Sequence, residues 1–371
     1  MKSNILIIEP YNSGSHAAWA GGYQSYSSHN VDILGMEGRY WKWRMHGGAV
    51  TLAKRFMEGD LKPDLIFASD MLDLSTFLAL TRSRTAGIPA ALYFHENQLS
   101  YPWSPDDRDV LNKRDSHYGF INYSSALAAD KLFFNSAYHM ESFFDEVWRL
   151  LKNFPDYNEL DTVKDMRNKS CVLHLGLDLK RLDEHRPERI KKGKKPLLLW
   201  NHRWEYDKNP ADFFEAIYIL AEKGLDFKLA VLGENFRKKP VEFKEAKNRL
   251  GDRIVQFGYA EDFASYAALL WEADIMPVTS NQDFFGGSVV EGIYCNNFPL
   301  LPKRLAYPEH IPEEFQEEFF YDDFEDMVSR LEQAIINIDE TRAGDVSHFV
   351  EAYRWEEMAP HYDDMLSTLV S

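Results

Sequence analysis

Two cationic residues lie close together in a polar segment that follows a short apolar run. Arg203 and Lys208 come after the apolar residues 196–200 and just before an amphipathic stretch that begins at Pro210. A guanidinium can bind two phosphate oxygens at once, and a lysine adds a mobile point charge. The start of a helix also attracts anions. The segment therefore favours a diphosphate-binding loop over a plain solvated loop.

A glycine pair lies between two carboxylates in a second polar segment, which follows the apolar run 274–278. Gly286 and Gly287 open a predicted helix, so their backbone N–H groups could face an anion. Asp283 precedes the pair, and the carboxylate of Glu291 within the helix could accept hydrogen bonds from both hydroxyls of a ribose. The alternative is a surface carboxylate, but apolar neighbours around Glu291 indicate a buried helix face, where a carboxylate needs a partner.

Polar residues also follow two apolar runs near the N-terminus. Gly14, Ser15 and His16 come after the first run, and the backbone N–H groups of such a turn can bind a phosphate or a sugar. The glycine spacing of a dinucleotide-binding loop is missing, so a nicotinamide cofactor is disfavoured, and a plain strand–helix turn is the first interpretation of this segment taken alone. His95 begins four consecutive polar residues after the run 90–94. A lone histidine is more often structural, but four polar groups at a strand end favour binding of a sugar hydroxyl or phosphate oxygen.

Short apolar runs alternate with amphipathic stretches, and the alternation restarts after a charged segment at residues 183–195, which is interpreted as a linker. Such runs are typical of strands in parallel sheets that are covered on both faces. The predicted strands are residues 4–8, 64–68, 90–94 and 131–134, and then 196–200, 227–232, 254–257, 274–278 and 298–301. The predicted helices include residues 48–58, 74–85, 210–223, 260–273, 288–295 and 352–371. We expect two α/β domains whose ligands bind beyond the carboxyl ends of the strands, in a cleft between the domains.

Composition and charge limit the classes of function. A chain of 371 residues is too long for one ordinary core, and its net charge of −17 excludes a general attraction to nucleic acid, which would need a local basic patch. The basic runs 186–195 and 237–247 and the aspartate pairs 106–107 and 363–364 are interpreted as solvated faces. Two isolated cysteines indicate neither a zinc site nor a disulfide framework, and no apolar run reaches membrane-spanning length. A cytoplasmic protein is expected.

At these positions the sequence resembles a known family. Arg203 and Lys208, followed by the segment from Asp283 to Glu291, are similar to the donor-binding signature of glycosyltransferase family 4. The resemblance implies the GT-B fold, with two Rossmann-like domains, and sugar transfer that retains the anomeric configuration. The family signature has a glutamate where this chain has Asp283, whose carboxylate reaches less far.

Further segments narrow the resemblance to the tRNA-queuosine mannosyltransferases. They span most of the chain, and they are residues 41–45 (WKWRM), 93–102 (YFHENQLSYP), 134–144 (FNSAYHMESFF), 202–208 (HRWEYDK), 232–236 (LGENF) and 284–286 (FFG). The first two of these segments are the most specific. The resemblance implies GDP-mannose as the donor and queuosine at the wobble position of tRNA as the acceptor.

The resemblance also assigns roles at the donor site. His95 would contact the transferred sugar, while Arg203 and Lys208 would neutralise the departing diphosphate. No cofactor and no metal is required, because the cations take the role of a metal and the leaving phosphate accepts the proton of the acceptor. The other donor-binding residues would be Asp283, Phe285, Gly286 and Gly287 at the sugar hydroxyls and β-phosphate, Glu291 at the ribose, Gly233 and Glu234 near the nucleotide, and Gly14, Ser15 and His16 near the phosphates or the acceptor.

Contacts with the tRNA are expected in the first half of the chain. The two tryptophans would stack on bases, because RNA-binding proteins recognise unstacked bases in this way. The alternative for residues 41–48 is a helix start that faces the core and directs its cations outward, and both interpretations stay open. The candidates are Trp41, Lys42, Trp43 and Arg44, with Glu96, Asn97, Lys113 and Arg114.

The predicted domain order follows the same resemblance. We expect an acceptor-side domain at residues 1–182, a nucleotide-sugar-binding domain at 183–345, and a C-terminal helix within 346–371 that returns to the first domain. The alternative function is a family 4 transferase that uses another nucleotide sugar and a lipid, glycan or small-molecule acceptor, which the net charge mildly favours. A nucleotide-sugar sensor without turnover is a third possibility, and retention of His95, Arg203, Lys208 and Glu291 argues against it.

Overall fold

The chain forms two compact units in a computed structural model that describes residues 2–103, 117–190, 192–234 and 240–370. One unit contains Met1–Asp178 and Tyr353–Ser371, and the other contains Leu179–Ala352. The segment 183–195, which was interpreted as a linker, belongs to the second unit. Lys113, Arg114, the aspartate pair 106–107 and residues 235–239 lie outside the described residues.

The first unit is built on a parallel sheet. Its six strands are β1 (Asn4–Asn12), β2 (Asn30–Glu37), β3 (Leu65–Ser69), β4 (Ala90–Phe94), β5 (Lys131–Phe134) and β6 (Ser170–Val172). They are ordered β2-β1-β3-β4-β5-β6 across the sheet. All residues of β3 and β4 are buried, as expected for strands covered on both faces.

The second unit repeats this architecture. Its six strands are β7 (Leu197–Asn201), β8 (Lys228–Leu232), β9 (Ile254–Gly258), β10 (Ile275–Pro277), β11 (Phe298–Pro302) and β12 (Phe320–Tyr321). Their order is β12-β11-β10-β7-β8-β9, and the paired strands are parallel. The prediction of two α/β domains with parallel sheets is confirmed.

Helices connect the strands in both units. In the described residues they are α1 (Gly14–Tyr26), α2 (Trp41–Glu58), α3 (Leu74–Thr85), α4 (His117–Ala128), α5 (Ala137–Lys152), α6 (Thr162–Asn168), α7 (Lys180–Glu184), α8 (Pro210–Glu222), α9 (Val241–Leu250), α10 (Phe263–Glu272), α11 (Gly287–Tyr294), α12 (Gln316–Phe319), α13 (Phe324–Ile336), α14 (Ile338–Ala343) and α15 (Trp355–Val370). Side-chain caps define several starts: Asp73 accepts from the N–H of Thr76 before α3, and Ser136 accepts from the N–H of His139 before α5. Nothing in the described part of the chain forms a helix both long and apolar enough to cross a membrane.

Helix α15 belongs to the first unit, although it ends the chain. Its Trp355 is buried against two glycines, and its Asp363 accepts hydrogen bonds from the hydroxyls of Tyr23 and Ser27 at 2.8 and 2.6 Å. The N–H and hydroxyl of Ser28 donate to the other oxygen of Asp363. The interpretation of the pair 363–364 as a solvated face is therefore wrong for Asp363, because a period-3.6 helix turns adjacent residues to different surroundings.

Candidate active site

A buried lysine and a carboxylate form the centre of the candidate site in the second unit. Lys208 follows β7 and is only 5% exposed. Its Nζ donates to Oδ1 of Asp283 at 2.8 Å and to the carbonyl oxygen of Gln282 at 2.5 Å. The hydroxyl of Tyr307 donates to Oδ2 of Asp283 at 2.5 Å. Both oxygens of Asp283 thus have a donor, which fixes the plane of the carboxylate.

The surroundings of Asp283 keep it ionised. Burial acts to raise its pKa, but the charge of Lys208, the His202 side chain and the two hydrogen bonds lower it below the ordinary value. His202 itself is buried, which lowers its pKa to about 4. It is therefore neutral near pH 7, and within the described ranges its Nε2 has no hydrogen-bond partner. The site combines one charged lysine with a neutral, buried imidazole.

Arg203 differs from Lys208 in its exposure. Its side chain is half exposed, and Nη2 lies 3.4 Å from Oε2 of Glu205. The two predicted cations therefore stand in different surroundings: Lys208 is held inside the site, whereas Arg203 is at the surface of the loop that follows β7. A guanidinium in that position keeps access to an anion from solvent.

The glycine pair shapes the loop before α11. Gly286 has a left-handed backbone with φ +85°, and a Cβ there would lie 3.0 Å from the ring of Tyr307. Buried His310 contacts the carbonyl oxygen of Phe285 through Nε2 at 2.6 Å, so this nitrogen must carry a proton. Gly287 then begins the helix, whose first N–H groups are available for an anion. The loop is held from both sides, as a preorganised binding loop requires.

Glu291 is half buried and has the partner that its position demands. The hydroxyl of Tyr266 donates to Oε2 of Glu291 at 2.5 Å. Asn201, at the end of β7, donates to the same hydroxyl at 2.9 Å and to the carbonyl oxygen of Ser288 at 3.1 Å. The carboxylate is therefore oriented by a chain of hydrogen bonds that starts at the sheet.

Gly233 brings the end of β8 against the loop that follows β7. Its φ is +132°, and a Cβ at this position would lie 1.9 Å from the carbonyl oxygen of His202. The next carbonyl, of Glu234, accepts from the N–H of Trp204 at 3.3 Å. Because β10, β7 and β8 are neighbours in the sheet, the predicted residues of the second unit gather at one edge, where ligands of parallel sheets bind.

The first unit places His16 beside a buried carboxylate. Gly14 and Ser15 are exposed at the start of α1, whereas His16 is buried and its Nδ1 lies 2.9 Å from Oε2 of Glu9. Burial acts to lower the pKa of His16, but Glu9 raises it to about 9 by its charge and its hydrogen bond. His16 is consequently an imidazolium near pH 7.

The ring of His95 packs against that of His16 at the same edge of the first sheet. The two ring centroids are 4.3 Å apart, and the ring of Trp19 lies 4.7 Å from that of His95. Burial lowers the pKa of His95 well below its ordinary value, and the neighbouring His16 and His139 lower it further. The backbone N–H of His95 donates to Oδ1 of Asp70 at 2.8 Å. A neutral imidazole beside a charged one is the result.

Glu96 and Asn97 have different surroundings. Glu96 is partly exposed, and its Oε1 accepts from Nε2 of Gln98 at 2.8 Å. Asn97 is fully buried, and its Oδ1 accepts from the N–H groups of Leu99 and Ser100 at 3.1 and 2.9 Å. The side chain of Asn97 therefore shapes the turn after β4, and the side chain of Glu96 reaches solvent.

The tRNA candidates of the first unit begin α2. Trp41 is half buried against Tyr118, with ring centroids 5.2 Å apart, and Nζ of Lys42 lies 5.4 Å from the Trp41 ring. Trp43 is 62% exposed, and Nε of Arg44 donates to the carbonyl oxygen of Glu37 at 3.0 Å. Trp41 thus fits the interpretation of a helix start that packs inward, while exposed Trp43 fits that of a stacking surface.

Several site residues were not singled out from the sequence. Tyr307 and Tyr266 orient the two carboxylates of the second unit, and Glu9 and Asp70 surround the histidines of the first. Asp70 is the second residue after the predicted strand 64–68, and this position is the signal that could have identified it. One cluster in the described segments, Glu9, His16 and His95, has potential metal-ligand atoms within 4.8 Å of one another. The absence of a metal requirement stays a prediction.

Comparison with known proteins covers both units. Residues 4–177 match a family model described as tRNA-queuosine alpha-mannosyltransferase N-terminal, and residues 182–343 match the model of glycosyl transferases group 1. The tRNA-queuosine alpha-mannosyltransferase of Drosophila melanogaster is 34% identical over 322 residues, which are 84% of this chain and 83% of that relative.

Solved structures agree in fold. The UDP-forming trehalose-phosphate synthase of Burkholderia xenovorans covers 100% of both chains with a TM-score of 0.67 at 14% identity. The sucrose-phosphate synthase of Thermosynechococcus elongatus covers 99% of both chains with a TM-score of 0.68 at 13% identity. The predicted GT-B fold is confirmed, and the chain is a glycosyltransferase that belongs to the tRNA-queuosine alpha-mannosyltransferase family.

Proposed function

We propose that this protein transfers mannose from GDP-mannose to queuosine at the wobble position of tRNA. Membership of the family, whose relative is named for this acceptor and this sugar, supports the acceptor half. The observation that carries the donor half is the arrangement of Lys208, Asp283 and Tyr307 beside a helix N-terminus. A fixed carboxylate and a buried cation at such a terminus suit a sugar joined to a diphosphate.

The donor site follows from the chemistry of each side chain. Lys208 and Arg203 neutralise the diphosphate as it leaves, and the N–H groups that open α11 add hydrogen bonds to it. Asp283 accepts from sugar hydroxyls, and Glu291 accepts from the ribose. Gly233 keeps the end of β8 close to the nucleotide side of this site. We propose no resident cofactor and no metal.

The reaction is balanced without a dedicated base. The bond between the anomeric carbon and the phosphate oxygen breaks, and a bond from the acceptor hydroxyl oxygen to that carbon forms on the same face. The leaving phosphate oxygen takes the proton of the hydroxyl. The negative charge on the leaving phosphate grows in the transition state, so a positioned lysine lowers the barrier more than it strengthens ground-state binding.

On the first unit, His95 is suited to the transferred sugar. Its ring is neutral and is held by Trp19 and His16, so it can exchange hydrogen bonds with a hydroxyl without adding charge. Gly14 and Ser15 are exposed, directly precede His16 in the chain, and offer small surfaces for a phosphate or the acceptor. Trp43 and Arg44 supply a ring and a cation for tRNA at the start of α2. A cytoplasmic location, where tRNA takes part in translation, agrees with this acceptor and stays a prediction.

Transfer of radiolabelled mannose from GDP-mannose tests the proposal. We expect label in tRNA that carries queuosine, and none in the same tRNA with guanosine at the wobble position. A parallel series with UDP-glucose and GDP-glucose tests the donor. Label that enters a lipid or free glycan but not the queuosine tRNA would contradict the acceptor half, and equal use of UDP-glucose would contradict the donor half.

A further inference from the structure

Three carboxylates meet at one edge of the first sheet. Glu9 lies on β1, Asp70 directly follows β3, and Glu96 is the second residue after β4. These strands are consecutive in the sheet order β1-β3-β4 and run parallel, so their carboxyl ends lie side by side. We call Glu9, Asp70 and Glu96 the carboxylate cluster.

The members of the carboxylate cluster differ in how their oxygens are used. Glu9 is buried, and its two oxygens bind the N–H of Tyr11 and the imidazolium of His16. Asp70 is fully buried, and only its Oδ1 is satisfied, by the N–H of His95. Its Oδ2 has no partner anywhere in the described residues. A buried carboxylate oxygen without a donor is costly unless a ligand or a proton completes it.

Among the described residues, acidic side chains outnumber the cations that act on Asp70. The charged side chains that act on Asp70 are His16, Glu96 and Glu9, and the adjacent His95 is neutral. One imidazolium therefore faces three acidic side chains. Burial, followed by the other two carboxylates, raises the pKa of Asp70 well above its ordinary value, while His16 lowers it. The edge thus favours uptake of positive charge.

We propose that the carboxylate cluster recognises a protonated amine of the acceptor, with partly exposed Glu96 in direct contact and the unpartnered Oδ2 of buried Asp70 behind it. This inference rests on the proposed function. Queuosine joins its cyclopentenediol to the deazaguanine ring through a secondary amine, which is protonated near neutral pH. Guanosine has no such group, so the cluster separates the modified base from the unmodified one by charge as well as by shape.

The geometry also explains why a neutral base is a poor occupant. A neutral base entering this edge would desolvate Glu96 without offering a counter-charge, which is unfavourable. An ammonium instead forms a charge-assisted hydrogen bond to Glu96. The protein then discriminates between the two bases because Glu96 is unpaired in the complex with the neutral base and paired in the complex with the ammonium.

Binding of two tRNA transcripts to the full-length protein tests the inference. Both carry a deazaguanine at the wobble position, one with an aminomethyl group, which is cationic, and one with a cyano group, which is neutral. We expect the wild type to bind the aminomethyl tRNA about tenfold more tightly in fluorescence anisotropy at one salt concentration. Neither transcript has the cyclopentenediol, so the measurement does not depend on sugar transfer.

Variants locate the preference. Glu96→Gln keeps an oxygen for Gln98 and removes the charge, so the ratio of the two affinities should fall toward one. Asp70→Asn, which keeps an oxygen for the N–H of His95, should reduce the ratio as well. Glu58→Gln is the matched control, because Glu58 is a 66% exposed carboxylate on α2, and it should leave the ratio unchanged.

Two outcomes overturn the inference. Equal wild-type affinities for the two transcripts would mean that the amine is not recognised, and a tenfold ratio that survives in Glu96→Gln and Asp70→Asn would place recognition elsewhere. Either result leaves the proposed function intact if mannose still enters queuosine tRNA. Failure of that transfer in the wild type, with the affinity ratio as expected, would instead contradict the proposed function.

Discussion

Asp283 is a shorter carboxylate than the glutamate of the family 4 signature, and two donors hold it in place. Lys208 binds one of its oxygens and Tyr307 binds the other. A short side chain with both oxygens occupied has little freedom to adjust to a substrate, so its position depends on its partners. Tyr307 is therefore a positioning residue, which also packs beside Gly286.

Removal of the Tyr307 hydroxyl should separate positioning from folding. We expect Tyr307→Phe to lower kcat about tenfold, because a hydrogen bond to a charged group is lost while the ring still packs. Lys208→Ala should lower kcat about a hundredfold or more, because the charge that opposes the leaving diphosphate is gone. Steady-state kinetics with varied GDP-mannose measures both effects.

The matched control for Tyr307→Phe is Tyr321→Phe. Tyr321 is also buried in the second unit, but its hydroxyl donates to the carbonyl oxygen of Val278 at 2.8 Å and does not touch Asp283. Tyr321→Phe should therefore change the stability of the protein without the loss of kcat that is expected for Tyr307→Phe. Equal kcat in Tyr307→Phe and the wild type would remove Tyr307 from the positioning of Asp283.

The buried pair of Glu9 and His16 should make stability depend on pH. The folded-state pKa of His16 is about 9, above its ordinary 6.5, so the pair stabilises the fold fully below pH 6.5. That contribution is lost as the pH rises through about 9. We expect the difference in melting temperature between the wild type and His16→Gln to be largest near pH 6 and to shrink toward pH 9.5.

Glu9→Gln provides the check on this assignment. This variant removes the carboxylate that raises the pKa of His16. The difference in melting temperature between Glu9→Gln and the wild type should therefore shrink over the same pH range. Constant differences at all pH values, in both variants, would show that the two residues stabilise the fold by packing alone.

At the scale of the element, prediction from sequence depended on how uniformly a segment is buried. Helix α3 and strand β4 have the predicted bounds, because strong local patterns mark both of their ends. Strand β2 was missed, since exposed Asp32 and half-buried Gly35 interrupt its apolar residues and leave no apolar run. Helix α2 starts at Trp41 rather than at residue 48, because Tyr40 ends the preceding turn in a left-handed conformation and Gly47–Gly48 interrupt the pattern.

The candidate site could be predicted only in part for a related reason. Arg203, Lys208 and Asp283 follow predicted strands, so the topology of a parallel sheet locates them. Tyr307 and Tyr266 lie far along the chain from the carboxylates that they bind, and a tyrosine has many ordinary structural positions. Long-range hydrogen bonds of this kind leave no periodic pattern in the sequence.

Two adjacent glycines of α1 give a direct test of how this helix packs. A Cβ on Gly22 would lie 2.1 Å from Nε1 of Trp355, whereas a Cβ on Gly21 would meet nothing within 4 Å. Gly22→Ala should lower the free energy of unfolding by about 1–3 kcal/mol, because the indole has no room to retreat. Gly21→Ala should be neutral or stabilising by about 0.5–1 kcal/mol, because alanine favours a helix.

Urea unfolding of the two alanine variants makes the comparison. Both changes add one methyl group to the same helix, so the difference between them reports the contact with Trp355 rather than helix propensity. Equal midpoints would mean that Trp355 moves freely, and the close packing of α15 on α1 would then contribute little to stability.

At the scale of the whole molecule, the chain leaves the first unit after Asp178 and returns to it at Tyr353. The second unit is therefore an insertion between two parts of the first, and the first unit is complete only when α15 is in place. The return is fixed by polar contacts as well as by apolar packing. Nε2 of His29 lies 3.1 Å from Oγ of Ser367, and Asp363 accepts hydrogen bonds from the hydroxyls of Tyr23 and Ser27 at the end of α1. Stability of the first unit should consequently be sensitive to single residues at the far end of the chain.

Asp363→Asn tests this dependence, with Asp364→Asn as the control. Asp363 is buried and accepts from Tyr23, Ser27 and Ser28, and these donors hold its pKa below the ordinary value although burial acts to raise it. Replacing it with asparagine turns an N–H₂ toward donors, which should destabilise the protein by about 2 kcal/mol. Asp364 is exposed, so the same change there should have almost no effect.

Calorimetry near pH 7 measures the stability of both variants. The loss of stability in Asp363→Asn should diminish as the pH falls below the ordinary carboxyl pKa, because protonation removes the same charge from the wild type. If both variants melt with the wild type, the hydrogen bonds of Asp363 do not hold the chain terminus, and the other contacts of α15, such as those of Trp355 and Ser367, must do so.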